Sequence, residues 1–213
     1  MDNKKIPTSV YAEMTPNPAA MKFVADRALV TGGLQVEYRS KSEASNSSAL
    51  AEELFNFPFV TNVFISGNFV TVTKDESLGW EMIVMQLREY IREWLVENEI
   101  AVSTVPAELM RREPMADPQS LGAPKPATDY SQFETSPYDD DIRFLLDEFV
   151  RPAVEQDGGA IDFMAYKDKI VYVQMKGSCS GCPSSTATLK GGIENLLKAK
   201  LPDIVEEVVA EAV

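Results

Sequence analysis

The hydrophobic pattern of this chain stops between residues 103 and 137, and this break constrains the fold more than any other feature. The stretch is rich in proline, with Pro106, Pro114, Pro118, Pro124, Pro126 and Pro137. Because proline fixes φ and removes a backbone donor, we expect an extended tether here. We therefore predict an N-terminal domain at residues 1–102, a flexible linker at 103–137 and a C-terminal domain at 138–213, each of small-domain size.

Composition narrows the classes of function. The formal net charge is −13, from 33 acidic and 20 basic residues, and histidine is absent. Acidity disfavours nucleic acid and anionic membranes as partners. Without histidine there is no Ser-His or Cys-His nucleophile pair, which weakens the hydrolase classes. Residues 1–10 lack the apolar core of a signal peptide, and no apolar run approaches the roughly 20 residues that cross a bilayer, so we expect a cytoplasmic protein.

The N-terminal part predicts strands packed against a helix. Strand-like runs at 59–65 and 69–73 flank Gly67 and Asn68, which can supply the positive φ values of a tight hairpin. Apolar residues then repeat at helical spacing, at Trp80, Ile83, Val84, Leu87, Tyr90, Ile91, Trp94 and Leu95. Weaker signals predict strands at 9–14 and 34–39 and a short helix at 48–55, giving an α+β sandwich.

The C-terminal part predicts the order helix, strand, strand, cysteine loop, helix, strand. An amphipathic helix from Ile142 reaches Pro152, which should kink or end it. A turn at 157–159 precedes two strand-like runs at 160–166 and 170–175, and a last helix must finish before Pro202. A final strand is expected at 204–210. The predicted fold class is therefore α+β, with two small α/β-sandwich domains joined by the proline-rich linker.

Both cysteines, Cys179 and Cys182, fall in the loop before the last helix. In a reducing compartment this spacing favours metal binding or electron exchange over a structural disulfide. Pro183 suits the first helical position, which would place Cys182 near the helix cap, where unpaired N–H groups lower the pKa of a thiol. For the loop serines we favour turn and cap hydrogen bonds over contacts to a metal centre. The pair Gly191-Gly192 within the last helix suggests close packing against the sheet.

Two cysteines and no histidine cannot complete a four-coordinate soft-metal site, so a closed site needs a second chain or an outside ligand. Two chains with two cysteines each supply four thiolates, as an iron–sulfur cluster requires, so cluster binding should be coupled to homodimerisation. Two alternatives stay open: a thiol–disulfide oxidoreductase, and a structural zinc site shared by two chains. The hairpin before the loop argues against the first, since a βαβ unit is expected there, and the absence of a second Cys-x-x-Cys argues against the second.

Several segments carry a family pattern. These are Val150–Val154, Asp157–Gly159, the Gly177–Ser185 loop, Leu189–Glu194, Met14–Phe23 and the Phe57–Thr73 hairpin. Over both folded parts the chain resembles the NifU-like (Nfu-type) iron–sulfur cluster assembly proteins. The resemblance implies a non-enzymatic scaffold or carrier that accepts a cluster, commonly [4Fe-4S] and otherwise [2Fe-2S], from an upstream donor. It implies delivery to apo-protein clients, with Cys179 and Cys182 as the metal and cluster ligands.

The chain departs from the family pattern at two points. Ala160 stands where relatives often carry an acidic residue or Asn, which puts a contact of the preceding turn in doubt. Further cysteine-rich domains of full-length NifU are absent from this sequence. We therefore expect carriage of a cluster rather than assembly from iron and sulfide.

Overall fold

A computed structural model describes residues 5–102, 104, 105, 130, 133–180 and 183–212, the last range with backbone only at 183–185 and 212. The chain forms two compact units, Met1–Arg111 and Arg112–Val213, and their boundary falls inside the predicted linker. Each unit has its own sheet and its own hydrophobic core. The α+β fold class is confirmed. No helix in the described part of the chain is long and apolar enough to cross a membrane.

The N-terminal unit is a five-stranded antiparallel sheet with helices. Its elements in chain order are β1 (Val10–Met14), β2 (Ala20–Ala25), β3 (Gln35–Tyr38), α1 (Lys41–Ala44), α2 (Ala49–Leu54), β4 (Val60–Ser66), β5 (Phe69–Lys74) and α3 (Trp80–Glu97). The strand order is β1-β2-β5-β4-β3. Along α3 the side chains that face the core are Ile83, Leu87, Ile91 and Leu95. Their spacing of four places them on one face, as the sequence predicts.

The hairpin between β4 and β5 is confirmed, with a difference at its turn. Gly67 has a positive φ of 51°, whereas Asn68 does not. Asn68 instead joins the turn to the neighbouring strand, because its Nδ2 donates to the Ala25 carbonyl at 2.9 Å and its own carbonyl accepts from Ala25 N at 2.8 Å. The turn therefore also fixes the end of β2.

The sequence pattern predicts neither β2 nor α1. All residues of β2 are buried, so the strand lacks the polar–apolar alternation that identifies a half-buried strand. Its one charged residue, Lys22, pairs with Glu13 at 3.3 Å and lies 4.8 Å from the Phe69 ring centroid. The short α1 begins after Ser40, whose hydroxyl accepts from Glu43 N.

The C-terminal unit packs helices against a three-stranded sheet of order β6-β7-β8. Its elements are α4 (Asp139–Leu145), a π-helical turn (Leu146–Val150), α5 (Arg151–Gln156), β6 (Gly159–Lys167), β7 (Ile170–Gly177), α6 (Pro183–Lys200) and β8 (Glu207–Ala212). The predicted hairpin of β6 and β7 is confirmed. The last predicted strand is present, but β8 begins later than the expected residue 204.

Pro152 does not end the first helix of this unit. A π-turn precedes it, in which Arg151 N donates to the carbonyl of Leu146, five residues back. Proline clashes with the carbonyl four residues before it and offers no N–H. The wider π-turn accommodates this, and the chain continues as α5.

The cysteine loop lies inside a βαβ unit. Strands β7 and β8 are parallel neighbours, and α6 connects them. The sequence predicts no such unit around the loop, which disfavours an oxidoreductase, and that prediction is wrong. The pairing of β8 with β7 joins residues far apart in sequence, so the local pattern did not reveal it.

The described residues at the two ends of the predicted linker make contacts within their own units. The carbonyl of Thr104 accepts from Ser47 Oγ at 3.0 Å in the N-terminal unit. In the C-terminal unit, the rings of Tyr130 and Phe133 lie 5.7 and 5.5 Å from that of Tyr172. The greater part of the predicted linker lies outside the described residues.

Candidate metal centre

The candidate site is the loop between β7 and α6. The helix begins at Pro183, as predicted. Cys179 is 6% exposed and belongs to the hydrophobic core of the C-terminal unit. Cys182, the second predicted ligand, lies outside the described residues. The structure therefore describes the position of one of the two thiols.

The position of Cys179 depends on Gly159, the first residue of β6. A Cβ added at Gly159 would lie 2.7 Å from Cys179 Sγ and 2.7 Å from the carbonyl of Lys176. Real Cβ atoms do not approach so closely, and the carbonyl is backbone that cannot move aside cheaply. Only glycine fits here. The sequence pattern predicts a turn at residues 157–159 and does not reveal this contact.

The turn and the loop are joined by hydrogen bonds of Ser178. Its backbone N–H donates to the Gly158 carbonyl at 3.2 Å, and its hydroxyl donates to the Asp157 carbonyl. Gly158 and Gly177 have positive φ values of 82° and 68°, a region that glycine enters without steric cost. These two glycines direct the turn and the strand end toward each other.

The described serines of the loop bind backbone oxygens, as the sequence interpretation favours. Ser180 donates to the Gly177 carbonyl through both its N–H at 3.1 Å and its Oγ at 2.9 Å. Ser178 Oγ also lies 3.8 Å from Cys179 Sγ. Thr186, which sequence analysis did not select, donates its Oγ1 to the Cys179 carbonyl at 3.1 Å. The loop is thus bonded to the first turns of α6.

The far half of α6 is fixed to the sheet by Glu194. Its carboxylate accepts from Val208 N in β8 at 3.2 Å and from Lys198 Nζ at 2.5 Å. The hydrogen bond from Lys198, with that from Val208, lowers the pKa of the Glu194 carboxyl. This residue ends the Leu189–Glu194 segment of the family pattern, and its role in the structure is to hold the crossover helix on β8.

Asp139, Asp140 and Asp141 lie in the first turn of α4, where the helix dipole favours carboxylates. Gly191 and Gly192 do not pack closely against the sheet, because a Cβ on either would meet no atom within 4 Å. That prediction is wrong.

The donor set limits what the site can bind. Among the residues that the structure describes, no group of three or more histidine, cysteine, aspartate or glutamate side chains converges. A four-thiolate centre at this loop would need ligands from outside the chain. Fold and site together define a class: a two-unit α+β protein with a Cys-x-x-Cys at the start of a crossover helix.

Comparison with known proteins identifies the family. Residues 10–98 match the family model described as "Scaffold protein Nfu/NifU N terminal", and residues 142–209 match the "NifU-like domain". The chain belongs to the NifU-like (Nfu-type) family, with an Nfu-type N-terminal domain and a NifU-like C-terminal domain. The family predicted from the sequence is confirmed.

Relatives match over nearly the whole chain. Proteins named "NFU1 iron-sulfur cluster scaffold homolog, mitochondrial" from Drosophila virilis and Drosophila erecta are each 34% identical over 95% of this chain. The chain spans 62% and 66% of their respective lengths. A solution structure of a NifU-like protein from Saccharomyces cerevisiae is 24% identical, with a TM-score of 0.41 over 48% of this chain and 88% of that one.

The predicted cytoplasmic location is wrong by this comparison, because the curated relatives are named mitochondrial. The prediction used the composition of residues 1–10. Since the chain spans only part of the relatives' length, those residues do not decide its destination.

Proposed function

We propose that this protein is an iron–sulfur cluster scaffold or carrier. It binds a labile cluster through Cys179 and Cys182 and transfers it to apo-protein clients. The observation that carries the proposal is a thiol-bearing loop at the start of a crossover helix. The chain belongs to a scaffold family, and it has two cysteines and no histidine. The relatives' printed names, which describe cluster scaffold homologues, support it.

Ligand number supports a site shared by two chains. Each chain contributes two thiolates, and a [4Fe-4S] or [2Fe-2S] cluster takes four. Loading therefore produces a homodimer. The family resemblance favours [4Fe-4S] as the cargo. A cluster held between two chains can be released to incoming client thiolates without unfolding either domain, so the shared site suits a carrier.

Loading changes the surroundings of Cys179. Its thiol is buried against Gly159, and a second chain cannot share a cluster with a buried sulfur. The side chain must turn toward solvent when the cluster arrives.

The N-terminal domain and the linker complete the proposal. A domain joined by a proline-rich segment raises the local concentration of whatever it binds near the cluster domain. We assign the N-terminal domain to holding a client during transfer. Deletion of residues 1–105 should slow transfer to clients while leaving cluster loading unchanged. Equal transfer rates to all clients would contradict this role.

Anaerobic reconstitution tests the cluster site. Iron, acid-labile sulfide and zinc are counted per chain, the absorption or Mössbauer spectrum is recorded, and the mass of the loaded species is measured. We expect four iron and four sulfide per dimer for a [4Fe-4S] cargo. Cys179→Ser and Cys182→Ser should each abolish stable loading. Ala187→Ser, which adds a hydroxyl at an exposed position of α6, is the matched control and should load normally.

Three outcomes would overturn the proposal. Normal loading of either cysteine variant would exclude the proposed ligands. An iron-loaded monomer without external thiol would exclude the shared site. Zinc in place of iron, or catalytic reduction of insulin disulfides by a protein that takes up no iron, would favour one of the two alternatives from the sequence.

A further inference from the structure

A cavity of about 580 Å³ lies in the N-terminal unit, away from the cysteine loop in sequence. Its lining comes from α2, from the second half of α3 and from Lys5 before β1. The volume is in the range of ligand pockets. Nothing in the proposed cluster chemistry uses it.

The cavity is open to solvent, and its lining includes a carboxylate that two hydrogen bonds hold in place. Glu53 on α2 accepts from Tyr90 Oη at 2.5 Å and from Trp94 Nε1 at 3.3 Å, one bond to each oxygen. Both donors lie on α3, one turn apart. Phe57 packs edge-on against Tyr90, with ring centroids 5.2 Å apart, and so restrains that ring. Each carboxylate oxygen keeps a second lone pair for another donor.

Electrostatics favour a cation in this cavity. Three lining carboxylates, Glu53, Glu93 and Glu97, face two lining cations, Lys5 and Arg92. The guanidinium of Arg92 is bound to Glu89 at 2.5 Å and lies 4.0 Å from Glu93. The lining therefore carries one carboxylate more than it has cations, and part of the Arg92 charge is offset by Glu89, which lies outside the lining.

The state of Tyr90 is constant at physiological pH. Burial, with the hydrogen bond to Glu53, raises the pKa of Tyr90 to about 12. The phenol therefore remains a donor to Glu53, and Glu53 keeps its orientation toward the cavity.

We propose that this cavity binds an arginine side chain of a protein partner. A guanidinium matches the fixed carboxylate of Glu53 through two parallel N–H donors, and its flat face stacks on an aromatic ring such as that of Trp94. Cation–π attraction to tryptophan and tyrosine adds to the ion pair. The inference deepens the client-holding role proposed for the N-terminal domain and rests on it.

Binding of a small probe to the full-length protein tests this inference. N-acetyl-L-arginine amide is titrated while the two tryptophan indole N–H signals are followed by NMR. We expect a saturable shift of the Trp94 signal. The Trp80 indole donates to the Pro18 carbonyl at 2.9 Å, outside the cavity lining, so its signal should not move. N-acetyl-L-leucine amide and N-acetyl-L-glutamate amide should cause no saturable shift.

Matched variants separate charge from fold. Glu53→Gln keeps an oxygen acceptor but removes the charge, and it should weaken arginine-probe binding by about tenfold or more. Glu81→Gln, at the exposed start of the same helix, should leave binding unchanged. Equal binding by Glu53→Gln, an unmoved Trp94 signal, or binding of the glutamate probe would overturn the inference. If Glu53→Gln does not fold, the three probes on the unaltered protein still decide.

The result is independent of the cluster proposal. Glu53→Gln retains both cysteines, so it should load a cluster as the unaltered protein does. Failure of probe binding with normal loading would reject this inference only, and failure of loading with normal probe binding would reject the cluster function only.

Discussion

At the scale of single residues, the site depends on the contact between Gly159, at the start of β6, and Cys179, just after the end of β7. The sulfur of Cys179 lies only 2.7 Å from where a Cβ of residue 159 would be. Ser178 then joins the loop to the preceding turn through two hydrogen bonds. The position of the thiol therefore depends both on the missing side chain of Gly159 and on the hydrogen bonds of Ser178.

Gly159→Ala tests that contact. The new methyl group must displace Cys179 Sγ or the Lys176 carbonyl, and we expect a loss of about 1–3 kcal/mol in the free energy of unfolding of the C-terminal unit. Urea unfolding followed by circular dichroism measures it. Gly192→Ala, which adds the same methyl group in open space, is the comparison variant and should not lower the free energy of unfolding. An unfolding free energy equal to that of the unaltered protein would show that the two residues do not touch.

The reactivity of Cys179 follows from its burial. In a reduced Cys182→Ser variant the remaining thiol is that of Cys179, which is 6% exposed. We expect the Cys179 thiol of the folded variant to react with an aromatic disulfide reagent about tenfold more slowly than that of the denatured variant. Each rate is divided by the rate of a small free thiol under the same conditions. Equal rates would mean that the thiol faces solvent before loading.

The phenol of Tyr90 gives a prediction in alkaline solution. Its pKa is raised to about 12 in the folded protein from 10.0, so the neutral form is favoured by folding. The resulting stability is complete below pH 10 and is lost as the pH rises through about 12. Burial also raises the pKa of Tyr166. In the near-ultraviolet titration of tyrosinate, both Tyr90 and Tyr166 should therefore ionise late, and the late amplitude should fall in Tyr90→Phe. An unchanged late amplitude in this variant would assign the late phase to other residues.

At the scale of elements, α6 carries two opposing features. Pro183 begins the helix and Glu194 fixes it to β8, whereas Gly191 and Gly192 lower its helical propensity and contact nothing within 4 Å of their missing Cβ. The π-turn before α5 is a comparable adjustment, made where Pro152 removes a helical hydrogen bond.

Alanine at either glycine should stabilise this helix. We expect Gly191→Ala and Gly192→Ala each to raise the free energy of unfolding by about 0.5–1 kcal/mol, since alanine loses less backbone entropy and meets no obstacle. Thermal unfolding of the C-terminal unit by circular dichroism measures the gain. A lower free energy of unfolding of either variant, measured on the cluster-free protein, would mean that the space beside these glycines is occupied.

At the scale of the whole molecule, two cores are built from different parts of the chain. Both tryptophans, Trp80 and Trp94, lie in the N-terminal unit. Tryptophan fluorescence therefore reports on the N-terminal unit, while circular dichroism reports on both.

A core variant in each unit tests their independence. Leu87→Ala removes a fully buried side chain of the N-terminal core, and it should lower the free energy of unfolding seen by fluorescence by about 2–5 kcal/mol. Leu197→Ala in the C-terminal core should leave the fluorescence transition in place and shift a separate part of the circular dichroism change. A shift of the fluorescence transition by Leu197→Ala would mean that the units unfold together.

Much of the fold could be predicted because its signals are local. Helix α3 follows from apolar residues at a spacing of four, the β4–β5 hairpin from Gly67, and the start of α6 from Pro183. The cysteine loop was located for the same reason, since its two thiols stand close together in the sequence. Each of these features is decided by residues within a few positions of one another.

What depended on the tertiary structure involves residues far apart in the chain. The sequence alone determined the α+β class, the spacing of Cys179 and Cys182 and the family. The parallel pairing of β8 with β7, the burial of both faces of β2 and the contact of Gly159 with Cys179 were decided by the folded arrangement. Strand partners and close packing arise when distant segments exclude water together, and no local pattern encodes which segments these will be.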